Sequence, residues 1–172
     1  MPAVAIPGAV TEVPSAPQSA PQSAQISLAV AAAATATGSR NPAMALPVTN
    51  GWVSSRFGPR EDPFTGEPAV HRGLDFAGHD NSTIHAAASG LVTWSGQLKG
   101  YGNLIEIDHG QGWVTRYGHN ASNLVARGDY VKPGQPIALM GSTGRATGTH
   151  LHFEVLYQGR HQNPARFVPR ET

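Results

Sequence analysis

The sequence contains no cysteine, and this absence excludes two kinds of structure. A disulfide framework cannot form, and a structural zinc site closed by thiolates cannot form either. The absence does not restrict the compartment, because a zinc enzyme can bind its metal through histidine and carboxylate groups alone. Any metal site in this chain must therefore use nitrogen and oxygen ligands.

Charged residues are also scarce, at 13% of the chain, and the formal net charge is +1. A balance this close to zero gives no argument for nucleic acid as a partner. No apolar run is long enough to span a membrane. The apolar segment 26–36 resembles the core of a signal peptide, but no Lys or Arg precedes Arg40. Because the positive region of a signal peptide is missing, we expect that a native signal is absent from this chain.

What the chain has in quantity is glycine and proline, with 20 and 14 residues in a length of 172. Short segments with strand character alternate with glycine turns such as Gly100-Tyr-Gly and Gly110-Gln-Gly. This composition indicates an all-β, turn-rich fold. We predict strands at 51–56, 73–77, 89–97, 103–108, 113–118, 136–140 and 150–157.

The segment His150-Leu-His-Phe-Glu-Val alternates polar and apolar residues, as a strand with one buried face does. A shift of one residue in register would place both imidazoles in the core, so burial of the apolar residues fixes the register. The pattern predicts two sets of side chains on opposite faces: His150, His152 and Glu154 on an accessible face, and Leu151, Phe153 and Val155 in the core.

A second pair of candidate ligands, His71 and Asp75, lies about eighty residues upstream. Gly73 between them disfavours a helix, so we predict an extended segment with both side chains on one face. Adding one histidine from the pair His150 and His152 gives two imidazoles and one carboxylate. Three protein ligands with an open fourth position are typical of a catalytic zinc site. Each pair alone is weak evidence for a metal.

Several further motifs occur in one order along the chain, and together they resemble the lysostaphin/LytM-type zinc endopeptidases that cut the peptides of bacterial cell walls. The resemblance covers about residues 46–168. The motifs are His71-Arg-Gly-Leu-Asp-Phe-Ala, Tyr101-Gly-Asn-Leu-Ile-Glu-Ile-Asp-His-Gly, Tyr117-Gly-His, Val131-Lys-Pro-Gly-Gln-Pro-Ile, Gly141-Ser-Thr-Gly and His150-Leu-His-Phe-Glu-Val.

The resemblance implies a role for five residues and one zinc ion per chain. His71, Asp75 and His152 correspond to the zinc ligands of the family, and His119 and His150 correspond to its catalytic histidines. It also implies the duplicated hybrid motif fold, in which an antiparallel sheet is folded over a smaller sheet and a groove carries the zinc. The chain departs from the family where Gly118 stands for a commoner alanine and Asn120 for a common leucine. The second change affects the wall of the groove, and with it the local substrate preference.

The remaining polar candidates have weaker assignments. Glu154 shares the face of His152, and we interpret it as a structural ion-pair partner in preference to a group that supports the ligand. His119 is predicted to end a strand and to reach the site without burial. The other histidines have no counterpart in the family and are predicted to be surface or loop residues, with a role in supporting a ligand left open for one of them: His79, His85, His109 and His161.

Residues 1–45 differ in composition from the rest, and Ser15-Ala-Pro-Gln-Ser-Ala-Pro-Gln-Ser-Ala is a low-complexity repeat. We interpret them as a linker or disordered tether, with a short helix possible near 26–35, followed by a catalytic domain at 46–172. Some relatives place an asparagine in the open zinc position, and Asn41 and Asn50 are the candidates here. The low apolar content of the tail disfavours such a lid.

These observations predict a zinc metalloendopeptidase, expected to be monomeric, that hydrolyses the peptide stems or cross-links of peptidoglycan outside the cytoplasm. Two alternatives are a non-enzymatic activator of cell-wall amidases and a secreted bacteriolytic enzyme. Members of the family that act as activators have lost zinc ligands, whereas all three are present here, which favours the enzyme. The sequence does not distinguish cleavage of glycine bridges from cleavage of D-Ala–diaminopimelate links.

Overall fold

The computed structural model describes residues 42–169, which form twelve strands and one turn of 3-10 helix. The strands are β1 (Trp52–Ser55), β2 (Gly58–Glu61), β3 (Pro68–His71), β4 (Leu74–Ala77), β5 (Thr83–His85), β6 (Gly90–Leu98), β7 (Gly102–Gly110), β8 (Trp113–Asn123), β9 (Tyr130–Val131), β10 (Pro136–Met140), β11 (His150–Tyr157) and β12 (Arg160–Gln162). The 3-10 turn spans Pro164–Arg166. Within the described range no helix has the length and apolar character needed to cross a membrane.

Ten strands form one antiparallel sheet whose main path runs β1-β4-β11-β8-β7-β6-β9. Strand β10 pairs with β5 and β8, and β12 pairs with β11. Strands β2 and β3 form a separate two-stranded sheet. The predicted fold class, an antiparallel sheet with a smaller second sheet, is confirmed for the described residues.

The alternating pattern of β11 determines how the centre of the large sheet packs. Leu151, Phe153 and Val155 are fully buried in the core, as predicted, and Phe153 packs against Phe76 of β4 and Tyr117 of β8. Burial of three large apolar side chains stabilises this register by several kcal/mol, at about 25 cal/mol per Å² of apolar surface. Strand β11 is thereby held between β4 and β8, and its other face is directed to the groove.

The seven predicted strands correspond to β1, β4, β6, β7, β8, β10 and β11, with ends shifted by up to two residues in most cases. Gly100 and Gly102 both have positive φ, as do Gly110 and Gly112, so the two predicted glycine turns do connect β6 to β7 and β7 to β8. Strands β2, β3, β5, β9 and β12 were not predicted, because each has only two to four residues and lacks a clear alternation.

The chain before β1 contributes to the core. Met44 is 3% exposed, and its backbone N–H donates to the carbonyl of Phe167 near the other end of the domain. The next residue, Ala45, donates to the carbonyl of Ala87. The folded unit therefore begins at least two residues before the predicted start at 46. The possible helix at 26–35 and Asn41 lie outside the described residues.

Candidate metal centre and its groove

Pairing of three strands brings the candidate ligands together. His152 of β11 lies opposite Asp75 of β4, and Asp75 lies opposite Ser55 of β1. His71 ends β3 and reaches the same point, because only two residues separate it from β4. Segments about eighty residues apart in sequence thus meet at one place on the sheet.

The three donor atoms form a small triangle. The distance between His71 Nε2 and Asp75 Oδ1 is 3.0 Å, that between His71 Nε2 and His152 Nδ1 is 3.2 Å, and that between His152 Nδ1 and Asp75 Oδ1 is 2.7 Å. A tetrahedral zinc site with bonds of about 2.0 Å has edges of about 3.3 Å, so the donor set fits zinc in both chemistry and spacing. Among the residues described, these three form the group of histidines and carboxylates that could hold a metal.

Hydrogen bonds behind the ligands orient them toward the centre. His71 Nδ1 lies 2.8 Å from the carbonyl oxygen of Arg56. A carbonyl can only accept, so Nδ1 keeps its proton in the neutral imidazole that a metal requires, and Nε2 then presents its lone pair to the site. Asp75 uses Oδ2 to contact Arg60 Nη1 at 3.5 Å, and the same nitrogen donates to Ser55 Oγ at 2.6 Å. Both contacts leave the donor atoms directed at one point.

A close backbone approach is needed to place His152. A Cβ on Gly73 would lie 2.6 Å from the carbonyl oxygen of Phe153 and 2.7 Å from Cε1 of His152. Any side chain at this position would push the imidazole out of the site. The glycine between His71 and Asp75 thus has a packing reason in addition to disfavouring a helix.

The site is strongly polarised before any metal binds. Burial raises the pKa of Asp75, but hydrogen bonds from His152 and His71 outweigh it and hold that pKa well below the usual range. Burial lowers the pKa of His152, but hydrogen bonds to the Asp75 and Glu154 carboxylates outweigh it and raise the pKa to about 9. Without metal, the pair is therefore a carboxylate and an imidazolium at neutral pH.

The two further histidines lie next to this centre. The ring of His119 is 4.7 Å from that of His150 and 5.8 Å from that of His152, measured between centroids. His119 Nδ1 donates to the carbonyl of Thr143 at 2.8 Å, and His150 Nδ1 donates to the carbonyl of Gly148 at 2.8 Å. In both rings the Nε2 lone pair is free for proton transfer. The five residues predicted for the site are therefore neighbours.

The prediction that His119 ends a strand and avoids burial is wrong. Strand β8 continues to Asn123, and His119 is 7% exposed with a φ of 65°, which is a left-handed conformation in mid-strand. This conformation distorts the strand locally, without ending it, and turns the imidazole toward the groove. Burial lowers the pKa of His119 to about 4, so the ring is neutral near pH 7. The sequence pattern contains no signal for this turn.

The centre lies in a groove of about 510 Å³. One wall is the hairpin of β2 and β3, which presents exposed apolar side chains at Phe64 and Val70. The other wall is the loop that precedes β11, including Arg145 and Thr149. Asn50 is exposed and does not line this groove, so its candidacy for the open metal position is not supported.

Burial also corrects the assignments of several polar residues. Glu154 is 1% exposed, so it does not lie on an accessible face. It forms an ion pair with Arg116 Nη1 at 3.5 Å, as interpreted, and also contacts the metal-site imidazole of His152. Three histidines predicted as surface or loop residues are half-buried in strands: His85 in β5, His109 in β7 and His161 in β12. His109 is held by the Ser89 carbonyl and the Thr115 hydroxyl, while His79 lies in a loop as predicted.

The family model for "Peptidase family M23" matches residues 69–164, which is more than half of the chain. This range includes every residue of the proposed centre. The chain belongs to peptidase family M23. This M23 chain is 39% identical over 130 residues to the lipoprotein NlpD/LppB homolog of Pseudomonas aeruginosa, covering 75% of the chain and 43% of that relative.

Two further relatives of the M23 chain are named for different functions. It is 41% identical over 138 residues to the murein hydrolase activator NlpD of Salmonella typhimurium, covering 80% of the chain and 34% of the relative. It is 43% identical over 113 residues to the peptidoglycan DD-endopeptidase ShyC of Vibrio cholerae, covering 65% and 26% respectively. The chain thus spans less than half the length of each of these relatives.

Solved structures agree with this membership. A zinc-containing peptidase from Vibrio cholerae superposes with a TM-score of 0.66 at 38% identity, over 72% of the M23 chain and 39% of the other. The catalytic domain of the antimicrobial peptidase lysostaphin from Staphylococcus simulans superposes with a TM-score of 0.63 at 32% identity, over 68% and 91%. The family resemblance found from sequence motifs is therefore confirmed.

Proposed function

We propose that the chain is a zinc metalloendopeptidase that hydrolyses peptide cross-links of peptidoglycan. The observation that carries this proposal is the convergence of three donor atoms of His71, Asp75 and His152, within 3.2 Å of one another, beside the unligated imidazoles of His119 and His150. A purely structural metal site has no need of two further histidines with free nitrogens at the floor of an open groove.

Zinc bound to the three ligands would lower the pKa of a water molecule to about 7 and polarise the scissile carbonyl. His150 Nε2 is assigned as the base that takes the proton of this water and later gives it to the leaving amine. His119 is assigned to the developing oxyanion or to the same proton transfer. The buried ring of His119 is neutral near pH 7. After gaining a proton, the ring would offer an N–H to the oxyanion in a site of low dielectric.

A second candidate function is activation of a cell-wall amidase, and the name of the Salmonella relative favours it. The activity test compares purified peptidoglycan treated with the zinc-loaded chain, with its His150→Ala variant, and with the chain plus a purified amidase. New amine ends from the chain alone, absent with the variant, support the endopeptidase. Release of stem peptides only when amidase is present, and equal for both proteins, would support the activator.

The location and boundaries are proposed on the same basis. Peptidoglycan lies outside the cytoplasmic membrane, and one relative is named a lipoprotein, so we place this chain in the cell envelope. Residues 1–41 are assigned as a tether ahead of the catalytic domain. The chain is expected to act as a monomer, because the groove and the five site residues all come from one copy.

A further inference from the structure

Glu154 is a charged residue placed almost completely out of water, with 1% exposure. Its Oε1 lies 3.1 Å from His152 Nε2 and accepts the hydroxyl of Tyr101 at 2.9 Å. Its Oε2 lies 3.2 Å from His161 Nε2 and 3.5 Å from Arg116 Nη1. A buried carboxylate is costly unless it is fully hydrogen-bonded, and these four partners satisfy it.

We propose that Glu154 is a positioning residue that holds the imidazole of His152 in the tautomer and orientation the metal requires. A carboxylate can only accept, so the nitrogen facing it, Nε2, carries the proton. When metal binding displaces the proton of Nδ1, the lone pair of this nitrogen is directed at the metal position beside Asp75, whose Oδ1 lies 2.7 Å away. The contact also raises the basicity of the ligand.

The partners of Glu154 form a support behind the imidazole. The ring of Tyr101 is 5.8 Å from that of His152, so one residue both packs on the ligand and donates to its carboxylate. Arg116 is itself fixed by Glu106, whose Oε2 accepts from Arg116 Nε at 2.7 Å. Loss of Glu154 is therefore expected to weaken zinc binding most, and loss of the Tyr101 hydroxyl is expected to weaken it less.

This inference rests on the proposed zinc site, and its test measures zinc affinity directly by competition with a chelator, without any cell-wall substrate. Glu154→Ala is expected to weaken zinc binding by about 10- to 100-fold, the usual effect of losing such a partner. Glu154→Gln keeps an oxygen that can accept from Nε2 and should recover much of the affinity. The control is Glu106→Gln, which disturbs the same arginine without contacting His152.

The second readout is the Nε2 proton of His152 in the zinc-loaded protein, observed by NMR. It should exchange slowly in the parent chain and in Glu154→Gln, and rapidly in Glu154→Ala. Unchanged zinc affinity in Glu154→Ala, or an equal loss in Glu106→Gln, would overturn the assignment. If the parent chain bound no zinc at all, the proposed function would be at fault, and the exchange of the Nε2 proton, compared among the metal-free parent, Glu154→Gln and Glu154→Ala proteins, would still decide the assignment of Glu154.

A separate observation concerns the mouth of the groove, where the two walls touch. Arg145 of one wall donates to Asp62 Oδ1 of the other at 2.8 Å, and its guanidinium lies 4.6 Å from the centre of the Phe64 ring. We call these three residues the clasp. Arg145 lies 83 positions after Asp62 in the sequence, so the contact between them is made by the fold.

The ion pair of the clasp is weak enough to be exchanged for another. Asp62 Oδ1 already accepts the backbone N–H groups of Phe64 and Thr65, so Arg145 shares an occupied acceptor. The side chain of Arg145 is 51% exposed, and ion pairs exposed to solvent contribute little to stability. A carboxylate that offered the guanidinium two oxygens would replace Asp62 at little cost.

We infer that Arg145 is a specificity residue that exchanges Asp62 for a free carboxylate of the substrate, so that the chain prefers cross-links of the D-Ala–diaminopimelate kind over neutral glycine bridges. The inference rests on the proposed function. Phe64 would keep the guanidinium in place during the exchange, because it contacts the cation and not its anion.

The test compares kcat/KM for an anionic cross-linked muropeptide and for a pentaglycine-bridged one. Arg145→Gln should lower kcat/KM for the anionic substrate about ten- to hundredfold, with a much smaller effect on the neutral one. Arg127→Gln, an exposed arginine away from the groove, serves as control. An equal loss on both substrates would show a structural role and overturn the inference. Should neither substrate be cut, their dissociation constants for the parent and Arg145→Gln proteins decide the inference independently of the activity.

Discussion

The raised pKa of His152 predicts that zinc affinity depends steeply on pH. In the metal-free protein the pKa of this imidazole is about 9, and the ring must lose its proton before Nδ1 can bind metal. Asp75 is already ionised, because its pKa is held well below the usual range. Between pH 6.5 and 8.5 zinc should therefore displace one proton from His152, and the apparent affinity should rise about tenfold per pH unit.

The magnitude follows from the pKa. At pH 7 about one His152 ring in a hundred is neutral, which weakens zinc binding by about 3 kcal/mol relative to pH values above 9. The assay is chelator competition at pH 6.5, 7.5 and 8.5, corrected for protonation of the chelator. Calorimetry in buffers of different ionisation enthalpy counts the protons released. An affinity that stayed level over this range would show that Asp75 and Glu154 do not hold a proton on the ring.

Five other outcomes are expected. Asp75→Ala should lose zinc, whereas His119→Ala should keep zinc and lose turnover about 10²–10⁴-fold; metal analysis and initial rates check both. In the metal-free chain the stabilisation contributed by His152 should be complete below about pH 6.5 and be lost as pH rises through 9, because folding raises the pKa of this ring; thermal melts in chelator above pH 6.5 measure the loss. A chain starting at Pro42 should cut its substrate at the same rate as the full chain, and a tenfold gain in rate would show the tail to be a lid. Met44→Ala should lower the free energy of unfolding by about 2–5 kcal/mol in denaturant titrations.

The central strands and the meeting of the candidate ligands could be predicted because one segment carries both signals. In β11 the apolar residues specify the register, and the register places His152 opposite Asp75. The spacing of His71 and Asp75 around Gly73 then completes the donor set. Local periodicity was sufficient here, since a shift of one residue would exchange the two faces of the strand.

What could not be predicted depends on contacts between distant segments. The burial of Glu154 requires Tyr101 and Arg116 from neighbouring strands to cover it. The left-handed conformation of His119 lies within a strand pattern that continues on both sides. The contribution of Met44 to the core depends on pairing with Phe167, more than one hundred residues later. None of these is encoded in a short window of sequence.

The central claim is that the chain itself breaks a peptide bond with zinc. The most direct measurement is mass spectrometry of a purified cross-linked muropeptide dimer after incubation with the zinc-loaded chain, with no other protein present. We predict that the dimer is converted into two fragments whose summed mass exceeds it by one water, with a new free amine, and that removal of zinc stops the conversion. An intact dimer in the presence of a fully zinc-loaded, folded chain, for both glycine-bridged and diaminopimelate-linked dimers, would contradict the account.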